Sequence, residues 1–149
     1  MQIALEINGA DRSLDVEPRR TLIDCLRHDL GLTGAKKACD MGNCGTCTVL
    51  LDDAPVYACL VLALDCAGRK VTTIENFSAP SALQRAFIAE DAFQCGFCTP
   101  GQIMALEGLF RCTRNPSDDE IVRALSGNLC RCGAYRNIVR AARRVRDQG

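Results

Sequence analysis

The chain has no tryptophan, and its aromatic residues are five phenylalanines and two tyrosines in 149 residues. So few flat rings argue against a surface that stacks on nucleobases. Charge of neither sign dominates: 18 lysines and arginines stand against 18 aspartates and glutamates. General attraction to nucleic acid or to an anionic membrane is therefore not expected. No apolar run approaches the roughly 20 residues that a spanning helix needs, so no membrane span is expected. His28 is the only histidine. That excludes, within this chain, a zinc site built on several histidines and a Rieske centre, which needs two. The opening residues 2–7 read as a strand, not as a basic region followed by an apolar stretch, so no secretory leader is expected. Arg19-Arg20 sits too far in, and no long apolar region follows it. These absences point to a cytoplasmic protein.

What is plentiful is cysteine, with 11 residues. In a reducing compartment, dense cysteine indicates metal rather than disulfides. The length suits one domain or two small ones. Ile3, Leu5 and Ile7 alternate with Gln2, Ala4 and Glu6 as in a half-buried strand. A turn over residues 8–11 and a return strand over 13–17 complete a hairpin. Thr21, with Asp24 three residues on, opens a helix whose apolar face is Leu22, Cys25, Leu26 and Leu30, and which Gly31 ends. Residues 49–51 and 71–74 read as further strands. A small sheet with one crossing helix is a β-grasp-like pattern. Residues 76–80 read as a linker, and the pattern then turns helical. One helix shows Leu83, Phe87 and Ile88 on its apolar face. A second starts at Pro100 and carries Ile103, Met104, Leu106 and Phe110. A third opens at Ser117 with a capping box closed by Glu120, runs through Ile121, Val122 and Leu125, and stops at Gly127. Ile138, Val139, Ala142 and Val145 mark a fourth. The expectation is an α+β chain: residues 1–76 a ferredoxin-like domain, 77–149 a helical one. Each half is small for an independent core, and metal would supply crosslinks.

Cys39, Cys44, Cys47 and Cys59 have the C-x4-C-x2-C spacing with a distant fourth cysteine that plant-type 2Fe–2S ferredoxins use. The oxidised cluster with four thiolates carries a formal charge of about −2, so a loop around it must turn N–H groups toward sulfur. Gly42 and Gly45 permit the dihedrals this needs. A four-cysteine zinc site is the alternative, though zinc sites usually pair their ligands two and two. The second set is Cys95, Cys98, Cys130 and Cys132, as C-x2-C and then C-x-C. Its spacing alone fits zinc as well as iron–sulfur. Cys98 lies near a helix N-terminus, whose partial positive charge favours thiolate.

Three motifs, CDMGNCGTCTV from Cys39, QCGFCTPG from Gln94 and GNLCRC from Gly127, resemble the iron–sulfur small subunits of the xanthine oxidase family of molybdenum hydroxylases. The resemblance covers nearly the whole chain, with the motifs in the family's order. It implies an N-terminal β-grasp plant-type ferredoxin domain and a C-terminal four-helix-bundle domain, each with one 2Fe–2S cluster. It implies electron transfer between a molybdenum–pterin cofactor on a large subunit and FAD on a medium subunit, in a dimer of heterotrimers. It further implies that Gln94 and Cys132 lie against the pterin. The chain departs from the family's usual pattern at Ala38, at Thr46, and at Cys132-Gly133-Ala134-Tyr135. Alternative functions are a free-standing two-cluster ferredoxin and a zinc-stapled interaction module. Cys25, Cys66 and Cys112 are left over and read as buried apolar residues. His28 reads as a solvated helix residue. The arginines from Arg136 to Arg146 read either as a solvated face or as a subunit contact.

Overall fold

Alternating apolar residues place Ile3, Leu5 and Ile7 on the buried face of β1 (Gln2–Ile7) in the computed structural model, which describes residues 1–149. The return strand β2 (Ala10–Asp15) starts at Ala10, not Ser13, because the turn is only two residues long. Asn8 and Gly9 have φ of 52° and 78°, a turn whose twist matches that of the flanking strands. Thr21 caps α1 (Leu22–Asp24): its hydroxyl accepts from the Asp24 N–H at 3.3 Å. The expected regular helix then widens into a π-helical turn over Cys25–Asp29. Those longer-range hydrogen bonds accompany complete burial of Leu22, Ile23, Cys25 and Leu26.

Strand β3 (Thr48–Leu51) is buried at every position. Antiparallel to it runs β4 (Ala54–Tyr57), which the sequence reading missed. Pro55 reads as a breaker, but β4 is an edge strand, where a missing N–H costs no ladder bond. β5 (Lys70–Thr72) completes a five-stranded sheet in the order β2-β1-β5-β3-β4. Ile74, expected in that strand, lies in the 3-10 turn that follows.

Four helices follow: α2 (Ala82–Ala89), α3 (Thr99–Cys112), α4 (Asp118–Leu125) and α5 (Tyr135–Gln148). The chain is thus a mixed α/β protein with one sheet and five helices, none long and apolar enough to cross a membrane. The capping box at Ser117 and Glu120 forms as read, with Ser117 N–H donating to the Glu120 carboxylate at 2.7 Å. Ser81 and Gln84 form another at α2. Two expected core residues point outward. Ile88 and Val122 are exposed, and Ala86 takes the place on α2 beside Leu83 and Phe87. Four of the α5 arginines are ion-paired within the chain while three of them stay partly exposed. Arg140 and Arg144 grip Glu90 at the end of α2, and Arg143 and Arg146 grip Asp118 at the start of α4. Such exposed pairs contribute little each, but they staple α5 to two other helices.

There are two apolar cores. One gathers the sheet and α1 around Leu22, Ile23 and Val49; the other gathers α2 to α5 around Phe87, Leu106 and Ile138. Helix α3 joins them by lying on β3. Leu50 faces away from the first core and meets α3 near Gly108. Gly101, Ala105 and Gly108 repeat at helical spacing and let the backbones approach. A Cβ on Gly101 would lie 2.5 Å from the Gly45 carbonyl oxygen, and one on Gly108 would lie 2.8 Å from Pro55.

This close approach reverses an ordinary substitution effect. Alanine normally stabilises a helix interior over glycine by up to about 1 kcal/mol. At Gly101 the added methyl would strike backbone, and overpacking of that kind costs about 1–3 kcal/mol. Gly101→Ala is therefore expected to lower stability by about 1–2 kcal/mol. Denaturant titration checks this, and a stability gain would contradict the packing account.

Candidate metal centres

Eight cysteines fall in two sets, one in each half of the chain: Cys39, Cys44 and Cys47 on the loop before β3 with Cys59 after β4, and Cys95 and Cys98 before α3 with Cys130 and Cys132 after α4, hereafter the two cysteine loops. In the first, φ is positive at Asp40, Gly42 and Gly45, with values of 56°, 78° and 71°. These turns direct N–H groups inward. Asn43 N–H donates to Cys39 Sγ at 3.2 Å, and the Met41 and Cys44 N–H groups also reach that sulfur. In the second, Gly96 and Gly133 have φ of 79° and 77°. Phe97 N–H reaches Cys95, and Ala134 N–H donates to Cys130 Sγ at 3.4 Å. Each loop is a nest of backbone dipoles suited to anionic sulfur.

The thiols influence one another's ionisation in neighbouring pairs: Cys39 with Cys44, Cys47 with Cys59, Cys95 with Cys132, and Cys98 with Cys130. Pairs arranged two by two suit a binuclear centre, in which each iron takes two thiolates. No three histidine, cysteine or acidic side chains gather as one ion would require.

The electrostatics differ between rim and interior. The Met41 N–H, with the Cys44 thiol and two further N–H groups, lowers the Cys39 thiol to about 7. The Phe97 N–H and the Cys132 thiol lower Cys95. Burial pushes Cys47 up to about 12. Burial and the Cys130 thiol push Cys98 to about 12 as well. At Cys130 burial acts upward, but the Ala134 N–H, the Cys98 thiol and two more N–H groups outweigh it and lower the thiol. Cys98 does precede α3, and its thiol is raised by burial all the same. A buried thiol of this kind ionises with a cation beside it. The donor set thus fits a metal cluster.

The two loops stand back to back. A cavity of about 420 Å³ is lined by Cys44 from the first set and by Cys95, Cys98 and Cys130 from the second. The Leu129 N–H donates to the Cys44 carbonyl at 2.8 Å. The Asn128 carboxamide donates to the Gly45 carbonyl at 2.9 Å and to Thr48 Oγ1 at 3.1 Å. Tyr57 OH donates to the Gly127 carbonyl at 3.0 Å. Sequence reading missed Thr48, Tyr57, Gln102 and Asn128 as site residues. Their only signal was polarity beside a cysteine motif, since the partners lie far away in the chain. Thr46 also has a role: its hydroxyl donates to the Lys36 carbonyl at 3.1 Å and sits 3.3 Å from Cys44 Sγ.

The remaining residues sort themselves. Cys25 and Cys66 are fully buried, and burial raises both thiols to about 11. Cys112 is exposed near the end of α3, contrary to its expected burial, because α3 outlasts the core there. His28 is exposed, 3.9 Å from Asp24. Gln94 and Cys132 are exposed at the second loop.

Paired thiols in two N–H-lined loops, fused into one small body, define a protein of the two-cluster 2Fe–2S class. Comparison with known proteins carries this further. Residues 5–67 match a family described as "2Fe-2S iron-sulfur cluster binding domain", and residues 73–143 one described as "[2Fe-2S] binding domain". The nicotine 6-hydroxylase small subunit of Paenarthrobacter nicotinovorans is 47% identical over 143 residues, covering 95% of this chain and 87% of that protein. Quinoline 2-oxidoreductase from Pseudomonas putida 86 superposes with a TM-score of 0.90 at 43% identity, covering 95% of this chain and 90% of that one. Aldehyde oxidoreductase from Desulfovibrio gigas superposes with a TM-score of 0.92 at 35% identity. It matches 100% of this chain, which equals 18% of the larger protein. The chain belongs to the family of 2Fe–2S small subunits of the xanthine oxidase type of molybdenum hydroxylases. Its role is electron transfer, as a non-catalytic subunit of an oxidoreductase complex.

Purified holo-protein is expected to be red-brown and to contain about four irons and four acid-labile sulfides per chain. Metal and sulfide analysis of anaerobically prepared protein checks this. Zinc without sulfide would contradict it.

Proposed function

We propose that the chain relays single electrons between a molybdenum centre on a large subunit and FAD on a medium subunit. In this reading Cys39, Cys44, Cys47 and Cys59 hold one 2Fe–2S cluster, and Cys95, Cys98, Cys130 and Cys132 hold the other. The observation that carries it is that each cysteine set has backbone N–H groups directed at its sulfurs, and that the Leu129 N–H of one set donates to the Cys44 carbonyl of the other. When bound, such clusters accept and donate one electron at a time. The protein's part is to bury the inner thiols, to direct N–H groups at sulfur and to hold the two loops in register, the means by which a protein tunes such centres.

The finer architecture follows the same reading. Residues 1–76 form a β-grasp plant-type ferredoxin domain and residues 77–149 a four-helix-bundle domain, in that order. Gln94 and Cys132 face the molybdenum–pterin cofactor, a placement supported by their exposure at the rim of the second loop. Phe93, Phe97, Leu129 and Tyr135 are exposed around that rim, while Met41, Leu60 and Leu62 are exposed beside the first loop. Two separate apolar rims suit two partners, the large molybdenum subunit and the medium FAD subunit. They favour membership of a complex, here a dimer of heterotrimers, over a free-standing ferredoxin with a polar surface. Nothing in the charge balance calls for nucleic acid. A cytoplasmic location agrees with a chain whose cysteines are all free thiols.

Two substitutions test the ligand sets. Cys44→Ser is expected to remove the electron paramagnetic resonance signal of the first cluster and to spare the second; Cys98→Ser should do the reverse. Loss of both signals from either folded variant would refute independent sites.

Orientation is tested with Gln94→Ala in the assembled complex. It should keep about four irons per chain and slow cluster reduction by substrate. A stranded hydrogen-bond partner costs about 1–3 kcal/mol, so the defect should be partial. Reduction from the flavin side should stay near wild type. Stopped-flow measurements begun from each end decide, and equal slowing from both ends would remove the proposed orientation.

A further inference from the structure

Gln102 is fully buried, one helical turn beyond Cys98, with its N–H bonded to the Cys98 carbonyl at 3.0 Å. Its carboxamide donates from Nε2 to the Asn128 carbonyl at 2.8 Å. That carbonyl belongs to the Asn128–Leu129 peptide, whose N–H is the one that donates to the Cys44 carbonyl at 2.8 Å. One peptide unit is therefore held at both ends, by a helix on the second loop's side and by the first loop's own backbone. A carbonyl that accepts a hydrogen bond polarises its amide and strengthens the N–H as a donor. Asn128's side chain adds the two bonds to Gly45 and Thr48. Gly45 has no room for a Cβ against Gly127 and Asn128, so the two loops meet there in close contact.

Packing does not account for a glutamine at this position. Its Oε1 is buried without a hydrogen-bond partner, which carries a cost. A methionine would fill similar space with no stranded oxygen. What methionine cannot do is donate to the Asn128 carbonyl.

We propose that Gln102 is a positioning residue that locks the Asn128–Leu129 peptide against the Cys44 carbonyl, and that this hydrogen bond is the electron crossing between the two cysteine loops. From Cys44 Sγ the route runs along the Cys44 side chain and carbonyl, across the hydrogen bond to Leu129 N, and along the main chain to Cys130 Sγ. It is covalent except at that one bond. An electron enters at one sulfur and leaves at the other, and no bond is made or broken. The inference deepens the relay reading and depends on it.

The test uses holo-protein with Gln102→Met and three readouts. Hydrogen–deuterium exchange at the Leu129 amide should speed up. The spin–spin splitting between the two reduced clusters should shrink, while iron content and each cluster's own g-values hold. Electron exchange between the clusters, followed after a flash-generated reductant, should slow. Unchanged splitting and rate would overturn the proposal even if amide exchange rose, because Gln102 would then be structural only. Should Gln102→Met lose iron, Thr48→Val loosens the same clamp from the first loop's side. The same three measurements then apply: a smaller splitting and a slower exchange support the proposal, and no change in either overturns it. Wild-type protein without two reducible clusters would instead sink the relay reading itself, so the two failures are distinguishable.

Discussion

Sulfur held as thiolate inside a protein has to be met by positive charge, and in this chain the backbone provides the first share of it. Both cysteine sets use left-handed residues to turn N–H groups toward sulfur, at Gly42 and Gly45 in one and at Gly96 and Gly133 in the other. The rim thiols respond directly: Cys39 falls to about 7. The inner thiols Cys47 and Cys98 are raised to about 12 by burial, so N–H dipoles alone do not keep them charged. That imbalance is what a metal cluster would resolve, and it makes each loop a part of the core as well as a site.

The rest of the fold serves to press those two loops together. A sheet with one short helix and a set of four helices each have their own apolar core. Neither is large, and their junction joins apolar contact at Leu50 and Pro55 to polar contact. It is a line of glycines on α3 lying on β3, followed by a few buried polar groups: Thr48, Gln102 and Asn128. Buried polar groups cost free energy unless satisfied, so their hydrogen bonds allow few alternative arrangements. Rigidity at this junction suits electron transfer, because a covalent and hydrogen-bonded path works only while its one non-covalent link stays closed.

Away from the junction the surface divides by chemistry. Apolar side chains stand exposed beside each loop, while the arginine-rich α5 is occupied with Glu90 and Asp118. The arginines of α5, read in sequence as either a solvated face or a subunit contact, also brace that helix against α2 and α4. The sticky surface lies at the rims where partners in the complex are proposed to sit.

Much of this was legible in the sequence. Cysteine spacing and the glycines among the cysteines pointed to cluster loops, because ligand spacing and backbone permissiveness are local properties. Strand β1, the Thr21 and Ser117 caps and the helix opened by Pro100 were legible for the same reason. Edge strand β4 was hidden because Pro55 is tolerated only at a sheet edge, and edges exist only once strands have paired. Ile88 and Val122 looked like core, since periodicity gives a helix an apolar face without saying how wide a neighbour covers it. Thr48, Gln102 and Asn128 were invisible because each acquires its meaning from a partner remote in sequence: 83 residues separate Asn128 from Gly45, and 26 separate it from Gln102. By itself the sequence determined the chemistry of the two loops. Only tertiary packing decided which thiol faces which, and through which peptide the loops touch, because those contacts depend on how two separately formed cores dock.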